Sequence, residues 1–294
     1  MAGYIIYNGF WNSDGLPDPV VRLEKAAALR GIKLMPLANN ETAVQLGEGV
    51  KIKGFDVSDF ALFWDKDIRL ARALETIGVR VYNPADAIAV CDDKAATHLR
   101  LAAEDIPMPE TIVAPMTYLK MDQEPTNAYL KYAEEQLGFP MVVKECFGSL
   151  GGQVYLAHDR TELRCIVEQM DARPFICQEY ISFSAGTDIR IYVVDGQPIA
   201  AMRRRSSSDF RANVGNGGTP QAYTPTEAEN EIAVHCCNIL GTQFAGVDLL
   251  TGESGEPLLC EVNSNAHMAA ITSCTGVDVA GAIIDSVLAR ERQR

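Results

Sequence analysis

Positive charge is what this 294-residue chain has least of: 26 lysines and arginines face 39 aspartates and glutamates, a formal charge of −13. A surface of that sign repels phosphate backbones, which excludes a general nucleic-acid binder but not a local cationic site for one nucleotide. The eight cysteines, at 91, 146, 165, 177, 236, 237, 260 and 274, show no Cys-x-x-Cys spacing. Most lie in apolar segments, as buried thiols do, and a reduced cytoplasm is the simplest reading. No apolar run approaches the ~20 residues of a membrane span, and Met1-Ala-Gly-Tyr-Ile-Ile-Tyr-Asn lacks the basic stretch and apolar core of a secretory leader. The four histidines (98, 158, 235, 267) are scattered, and no Ser-His-Asp or Cys-His set offers a covalent nucleophile. His98, His158 and His235 read as structural; His267 follows Asn263 closely enough to overlook the same ground. Walker A and dinucleotide fingerprints are missing too, as are repeats and low-complexity tracts. With 47% hydrophobic residues, the chain is long enough for a substantial core and two domains.

Residues 1–90 alternate strand and helix: Tyr4–Tyr7, then a helical stretch from Val20 to Arg30 closed by Gly31. Strand-like Phe60–Trp64, helical Ile68–Ile77 and the start of a strand at Val81-Tyr82 follow. That pitch predicts a small parallel α/β domain. Asp92 to Glu104 reads as one connecting helix ended by Ile106-Pro-Met-Pro109. Residues 91–294 form a second domain of α+β character, in which a further unit starts after a charged stretch around 121–135. Strands are expected at Met141–Glu145, Val154–Ala157 and Phe175–Tyr180, with a helix at Thr161–Met170. A hairpin over Asp188–Arg205 turns at Asp195-Gly196. Capping-box spacing occurs at Asp159-x-x-Glu162 and Thr224-x-x-Glu227. A helix at Thr226–Leu240 and a terminal helix near 277–289 complete the outline.

Two acidic residues and an amide dominate the last fifth. Asp248 lies in Phe244-Ala-Gly-Val-Asp-Leu-Leu, and Glu261 and Asn263 lie in Leu258-Leu-Cys-Glu-Val-Asn, with a reversing turn at Thr251–Glu256 between them. Antiparallel pairing sets Asp248 near Glu261, and a carboxylate in such apolar company needs a positive neighbour. An oxygen-only set suits Mg²⁺, which usually carries nucleotide phosphates as its remaining ligands. Upstream, Pro140-Met-Val-Val-Lys144 precedes Gly148-Ser149-Leu-Gly151-Gly152, a turn whose amides can approach anions closely; a lysine before a glycine turn is also an ordinary strand connection. Phe175–Ile181 turns polar at Gln178, Glu179, Tyr180 and Ile181, and its edge can read a base. Asp188 can accept from ribose hydroxyls. Arg203-Arg204-Arg205 and Asp209-Phe-Arg211-Ala-Asn213 suit anion binding, although strand alternation sends Arg203 and Arg205 to one face and Arg204 to the other. Lys94 is either a phosphate lysine or a surface residue.

In order, Lys94, Pro140–Lys144, the glycine turn, Gln178–Ile181, Gly186–Arg190, Arg203-Arg204, Asp209–Asn213, Ala245–Asp248 and Glu261–Asn263 resemble the ATP-grasp superfamily. Within it the series is similar to RimK-type and glutathione-synthetase-like carboxylate–amine ligases, closely over about 90–290 and more loosely before. The resemblance implies an ATP-grasp fold: an N-terminal α/β domain, a lid subdomain at about 120–182 and a C-terminal metal-binding subdomain. It implies ATP held by Lys94 and Lys144 beneath Gly148, Ser149, Gly151 and Gly152, with Gln178–Ile181 at the adenine and Asp188 at the ribose. Asp248, Glu261 and Asn263 would hold one or two Mg²⁺ ions, with Mn²⁺ as an alternative. Arg203, Arg211 and Asn213 would meet the transferred phosphoryl group and the substrate carboxylate. An amino acid or small carboxylic acid and an amine acceptor (amino acid, peptide or protein tail) would be joined, in a homo-oligomer. A small-molecule kinase and an ATP-binding regulatory protein are the alternatives. Two departures bear on the acceptor: Asn263-Ser-Asn265-Ala-His267 stands where relatives continue Asn-x-Ser-Pro-Gly, and Val214-Gly-Asn216-Gly-Gly218 replaces a basic segment containing histidine.

Overall fold

A computed structural model describes residues 1–10, 15–56, 58–118, 128–149 and 151–293. The expected lid start at 120 and the front of the charged stretch at 121–135 lie outside the described residues, as does Leu150.

The N-terminal segment builds a parallel sheet in the order Lys33–Ala38, Ala2–Tyr7, Phe60–Trp64, Arg80–Tyr82. Alternation along Phe60–Trp64 sends Phe60, Leu62 and Trp64 to one face and Ala61 and Phe63 to the other, so both faces need cover. Helices Ile68–Thr76 and Ala85–Asp92 cover one face. The other receives helix Asp18–Leu29 and, from the far end of the chain, helix Val279–Arg292. Trp64 stacks on Phe244 at 5.6 Å between ring centroids, so this core crosses position 90. Buried Asn83 adds a polar clamp, its amide donating to Phe244 O and Ser264 O while its Oδ1 accepts from Gln243 N and Phe244 N.

A middle antiparallel sheet runs Thr111–Val113, Phe175–Glu179, Met141–Glu145, Val154–Ala157. Met141, Val143, Phe175 and Cys177 face helices Ala128–Leu137 and Arg160–Met170. The opposite face carries Ile176, packed on Ala95 and Cys146, and by alternation Val142, Lys144 and Gln178.

The third sheet has five antiparallel strands: Thr219–Ala222, Gln197–Arg205, Thr187–Val194, Phe244–Thr251 and Pro257–Asn263. Ile189, Ile191, Ala201, Val247 and Leu249 pack on helix Glu227–Leu240. That helix opens on a complete capping box, but at Thr226 and Glu229, two residues later than the expected Thr224 and Glu227. The helix expected over Asp92–Glu104 is present as Lys94–Ala102; helix Ala85–Asp92, for which there was no expectation, ends just before it at a break at Asp93, whose carboxylate caps the second helix by accepting from Ala95 N and Ala96 N. This break puts Lys94 at a helix start beside the middle sheet, with its N–H donating to Cys146 O at 3.0 Å. Strand Lys33–Ala38 and the hairpin Ala43–Gly47/Gly49–Lys53 had no sequence expectation. Among the described residues, no single helix is long and apolar enough to cross a membrane.

Candidate functional site

Between the middle and five-stranded sheets lies a cleft of about 840 Å³. Its lining gathers Lys94, Lys144, Gly148, Ser149, Gly151, Gln178, Glu179, Tyr180, Ile181, Asp188, Arg211, Asn213, Asp248 and Glu261 from the sequence expectations. Gly152 closes the glycine turn, its N–H donating to Ser149 O, without reaching the cleft wall. Asn263 lines a second, smaller cavity of about 310 Å³ with Lys66, Cys91, Lys94, Thr97, His98, Gly148, Glu261 and Val262. The two spaces meet at Lys94, Gly148 and Glu261.

Arg203 is corrected by the structure. It leaves the cleft and stacks over Tyr223, with its guanidinium carbon 4.2 Å from the ring centroid. Arg204 is the arginine that faces the cleft side, and the cause is register. From the turn, Val194 pairs with Gln197 and Val193 with Pro198, but a bulge then makes Tyr192 pair with Ala200, so that Asp188 faces Arg204. Without that extra residue Arg203 would have stood opposite Asp188. Bulges re-aim side chains in this way because the side-chain period is two. The next hairpin repeats the device: Leu249 pairs with Leu259, and a shift at Cys260 brings Glu261 opposite Asp248.

These registers assemble a buried ladder of alternating charge. Arg204 forks onto Asp188 with both contacts at 2.6 Å and reaches Asp248 at 2.8 Å. Arg190 forks onto Asp248, again at 2.6 Å twice, and lies 3.9 Å from Glu261. Gly246 makes room for it: a Cβ there would come within 2.6 Å of the Ala266 Cβ and 3.4 Å of the Arg190 Cδ. The positive neighbour that Asp248 requires is thus a pair of arginines. Burial opposes its ionisation, but Arg190 and Arg204 outweigh it and hold the carboxyl well below the usual range. Asp188, which shares a single arginine and feels Asp248, is lifted by burial above the usual carboxylate range against the pull of Arg204. Arg190 and Arg204 were not among the expected site residues; the alternation of Asp188 and Arg190 along one strand was the available signal.

Glu261 accepts from the Asn263 amide at 2.9 Å. Asp248 Oδ1 takes one hydrogen bond and Oδ2 two, which leaves Oδ1 a lone pair. Among the described residues no cluster of three His, Cys, Asp or Glu is placed to hold a metal, so a hard cation here would find at most two carboxylates and an amide oxygen. That donor chemistry fits Mg²⁺ with phosphate oxygens completing its shell.

The remaining walls are tied down locally. Lys144, 6% exposed, has its Nζ 3.7 Å from Cys260 Sγ, and burial first of all pushes that thiol up to about 11. Arg211 pairs with Asp209 and donates to Gly151 O at 2.5 Å and Val154 O at 3.2 Å, latching the glycine turn to the 206–218 segment. Gly148 has φ of +154° and already meets Gln153 Oε1 where a Cβ would sit, 2.5 Å away, so only glycine fits the bend. Gln178, 1% exposed, is held by His98 and Thr111; neither partner was singled out from the sequence as part of a site.

A family model described as a RimK-like ATP-grasp domain matches residues 91–287. A "Probable alpha-L-glutamate ligase" of Xanthomonas oryzae pv. oryzae is 38% identical over 216 residues, covering 72% of this chain and 70% of its own length. The beta-citrylglutamate synthase B of Danio rerio is 35% identical over 229 residues, 76% of this chain. The chain spans about half of that longer relative, 54%. Among solved structures, a RimK domain ATP-grasp protein from Sphaerobacter thermophilus superposes with a TM-score of 0.74 at 23% identity, covering 97% of this chain and 99% of its own. That likeness extends the shared fold over the N-terminal segment as well.

Proposed function

The chain belongs to the RimK-like ATP-grasp family, and from that premise we propose that it joins a carboxylic acid to an amine with conversion of ATP to ADP. The observation that carries this reading is the junction of the two cavities at Lys94, Gly148 and Glu261. The larger has the lining for a nucleotide. In the proposed arrangement, apolar Val142, Ile181 and Leu250 flank the base, Asp188 meets the ribose, and Lys94, Lys144 and the glycine turn meet the phosphates. The smaller adjoins the phosphate end, where Lys94 is the cation an acid substrate would meet, Lys66 being paired with Asp92.

Asp248, Glu261 and Asn263 are the residues that would hold Mg²⁺, which supplies charge compensation on the transferring phosphoryl group. The chain's own residues do the rest. Lys94 and Lys144 draw negative charge toward the transferred group, and Arg211 fixes the turn above it. The substrate carboxylate attacks the terminal phosphorus, ADP leaves, and an amine then displaces phosphate from the acyl phosphate to give the amide. The protein forms no bond to substrate; it positions and excludes water. Residues 91 onward carry this machinery, with the middle sheet as lid. Glutamate, named in two of the relatives above, is the proposed amino-acid partner.

ADP release should require both an acid and an amine in a panel that includes glutamate, with an adduct of the matching mass. Hydroxylamine supplied as the amine should yield a hydroxamate. A stable phosphate ester formed without amine would replace the ligase by a kinase, and ADP release without either product would dismiss both.

A further inference from the structure

Behind the base end of the larger cleft runs a short chain of hydrogen bonds whose polarity is determined from end to end. His98, 3% exposed, lies one helical turn after Lys94, and its Nδ1 is 2.8 Å from the Lys94 carbonyl oxygen. A carbonyl only accepts, so Nδ1 carries the proton. Burial, with Lys144 adding to it, pushes the imidazole down to about 4, so at neutral pH the other nitrogen, Nε2, is bare and can only accept. Its partner at 3.0 Å is the Gln178 side-chain amide, which must therefore present its NH₂.

Thr111 imposes the same orientation independently. Its hydroxyl donates to Pro109 O at 2.8 Å, so toward Gln178 Nε2, 2.9 Å away, it can only accept. Both amide protons of Gln178 are committed, and its Oε1 has no partner among the described residues. Gln178 lies on the cleft face of the middle sheet beside Glu179, Tyr180, Ile181 and Val142.

We propose that His98, acting through Gln178, sets the base preference of the cleft by holding an acceptor oxygen toward the purine 6-position. A 6-amino group donates to that oxygen; a 6-oxo group meets it lone pair to lone pair, and the discrimination is of the kind an unmatched buried polar group produces. The inference rests on the proposed use of the cleft for ATP and adds the residue that selects the base. His98 is a positioning residue for the base: it touches Gln178 and does not line the larger cleft, although it borders the smaller cavity.

Calorimetry with ATP and with inosine triphosphate, which differs from ATP in having 6-oxo and N1–H groups, tests it without turnover. Wild type should bind ATP at least about tenfold more tightly than inosine triphosphate. In His98→Leu/Thr111→Val the amide is free to turn and offer NH₂ instead, and the ratio should fall by about tenfold. His98→Gln, a polar replacement that releases one restraint and keeps Thr111, should give an intermediate ratio and covers the event that the double variant does not fold. An unchanged ratio in a folded variant overturns the inference while leaving ATP binding in place. Failure of wild type to bind ATP at all would instead remove the functional reading, and this inference with it.

Discussion

At the Gln178 end of the cleft, side chains are held by neutral hydrogen bonds from His98 and Thr111. At the Asp248 end, they are held by full charges forked together out of water. Neutral bonds suit a group proposed to read hydrogen-bond polarity, and losing one leaves a modest deficit. Buried ion pairs hold the groups proposed to face a triphosphate, and removing one partner strands the other's charge. The two ends should therefore fail differently.

The largest loss is expected from Arg204→Ala, which leaves Asp188 and Asp248 facing each other with Arg190 alone between them. Unfolding by urea should show a deficit of about 3–5 kcal/mol. Arg204→Lys should recover only part, because an ammonium cannot fork onto one carboxylate and still span to a second. A loss near zero would mean that the ladder is not formed in solution. Glu261→Ala comes next. Its carboxylate stands at the junction of the cavities and is partly exposed, so stability should hold while turnover falls by about 100-fold or more, roughly 3 kcal/mol of barrier. Retained turnover would take Glu261 out of the proposed metal set.

The neutral end has a pH signature. The imidazole of His98 moves from the ordinary 6.5 to about 4 on folding. Between those values the unfolded chain takes up a proton that the folded protein refuses, so this group's contribution is complete above 6.5 and is lost as pH falls toward 4. The loss amounts to about 2–3 kcal/mol. Melting of wild type and His98→Gln across that window isolates it, since carboxylates titrate alike in both; parallel curves would mean that His98 is exposed or charged.

How far these features could be read from the chain depends on whether the deciding information is local. The strand Phe60–Trp64, the hairpin turning at Asp195-Gly196 and the grouping of Lys144, the glycine turn and Asp248 follow from local pattern and motif order, and the structure has all of them. Alternation also states correctly that Arg203 and Arg204 face opposite ways. Which of them faces the cleft depends on one extra residue between the partners of Tyr192 and Val193, a bulge that no local pattern announces. The same holds for Cys260, whose bulge turns Glu261 toward Asp248. His98 reads as a structural histidine in sequence because its partner Gln178 is 80 residues away. The helix expected after Asp92 is there as Lys94–Ala102, opened by the Asp93 cap that a short acidic side chain before an apolar run predicts. Hairpin Ala43–Lys53 was missed although Val44, Leu46, Val50 and Ile52 alternate with other residues around Gly47-Glu-Gly49; its strands are short and mostly exposed, so little burial marks them.

The smallest effect is also the sharpest check on that register. Arg203 and Arg204 are adjacent, chemically identical and on the same strand, so any difference between them comes from facing alone. Arg203 is half-buried over the Tyr223 ring on the side of helix Glu227–Leu240. A cation–π contact at such a site contributes less than about 1 kcal/mol. Arg203→Ala should therefore lower stability by no more than that and leave nucleotide binding and turnover at wild-type values, in the same assays where Arg204→Ala is severe. Should Arg203→Ala abolish turnover and Arg204→Ala be tolerated, the strand would be paired one residue out of step, as in a hairpin without its bulge, and the charge ladder would have to be rebuilt around Arg203.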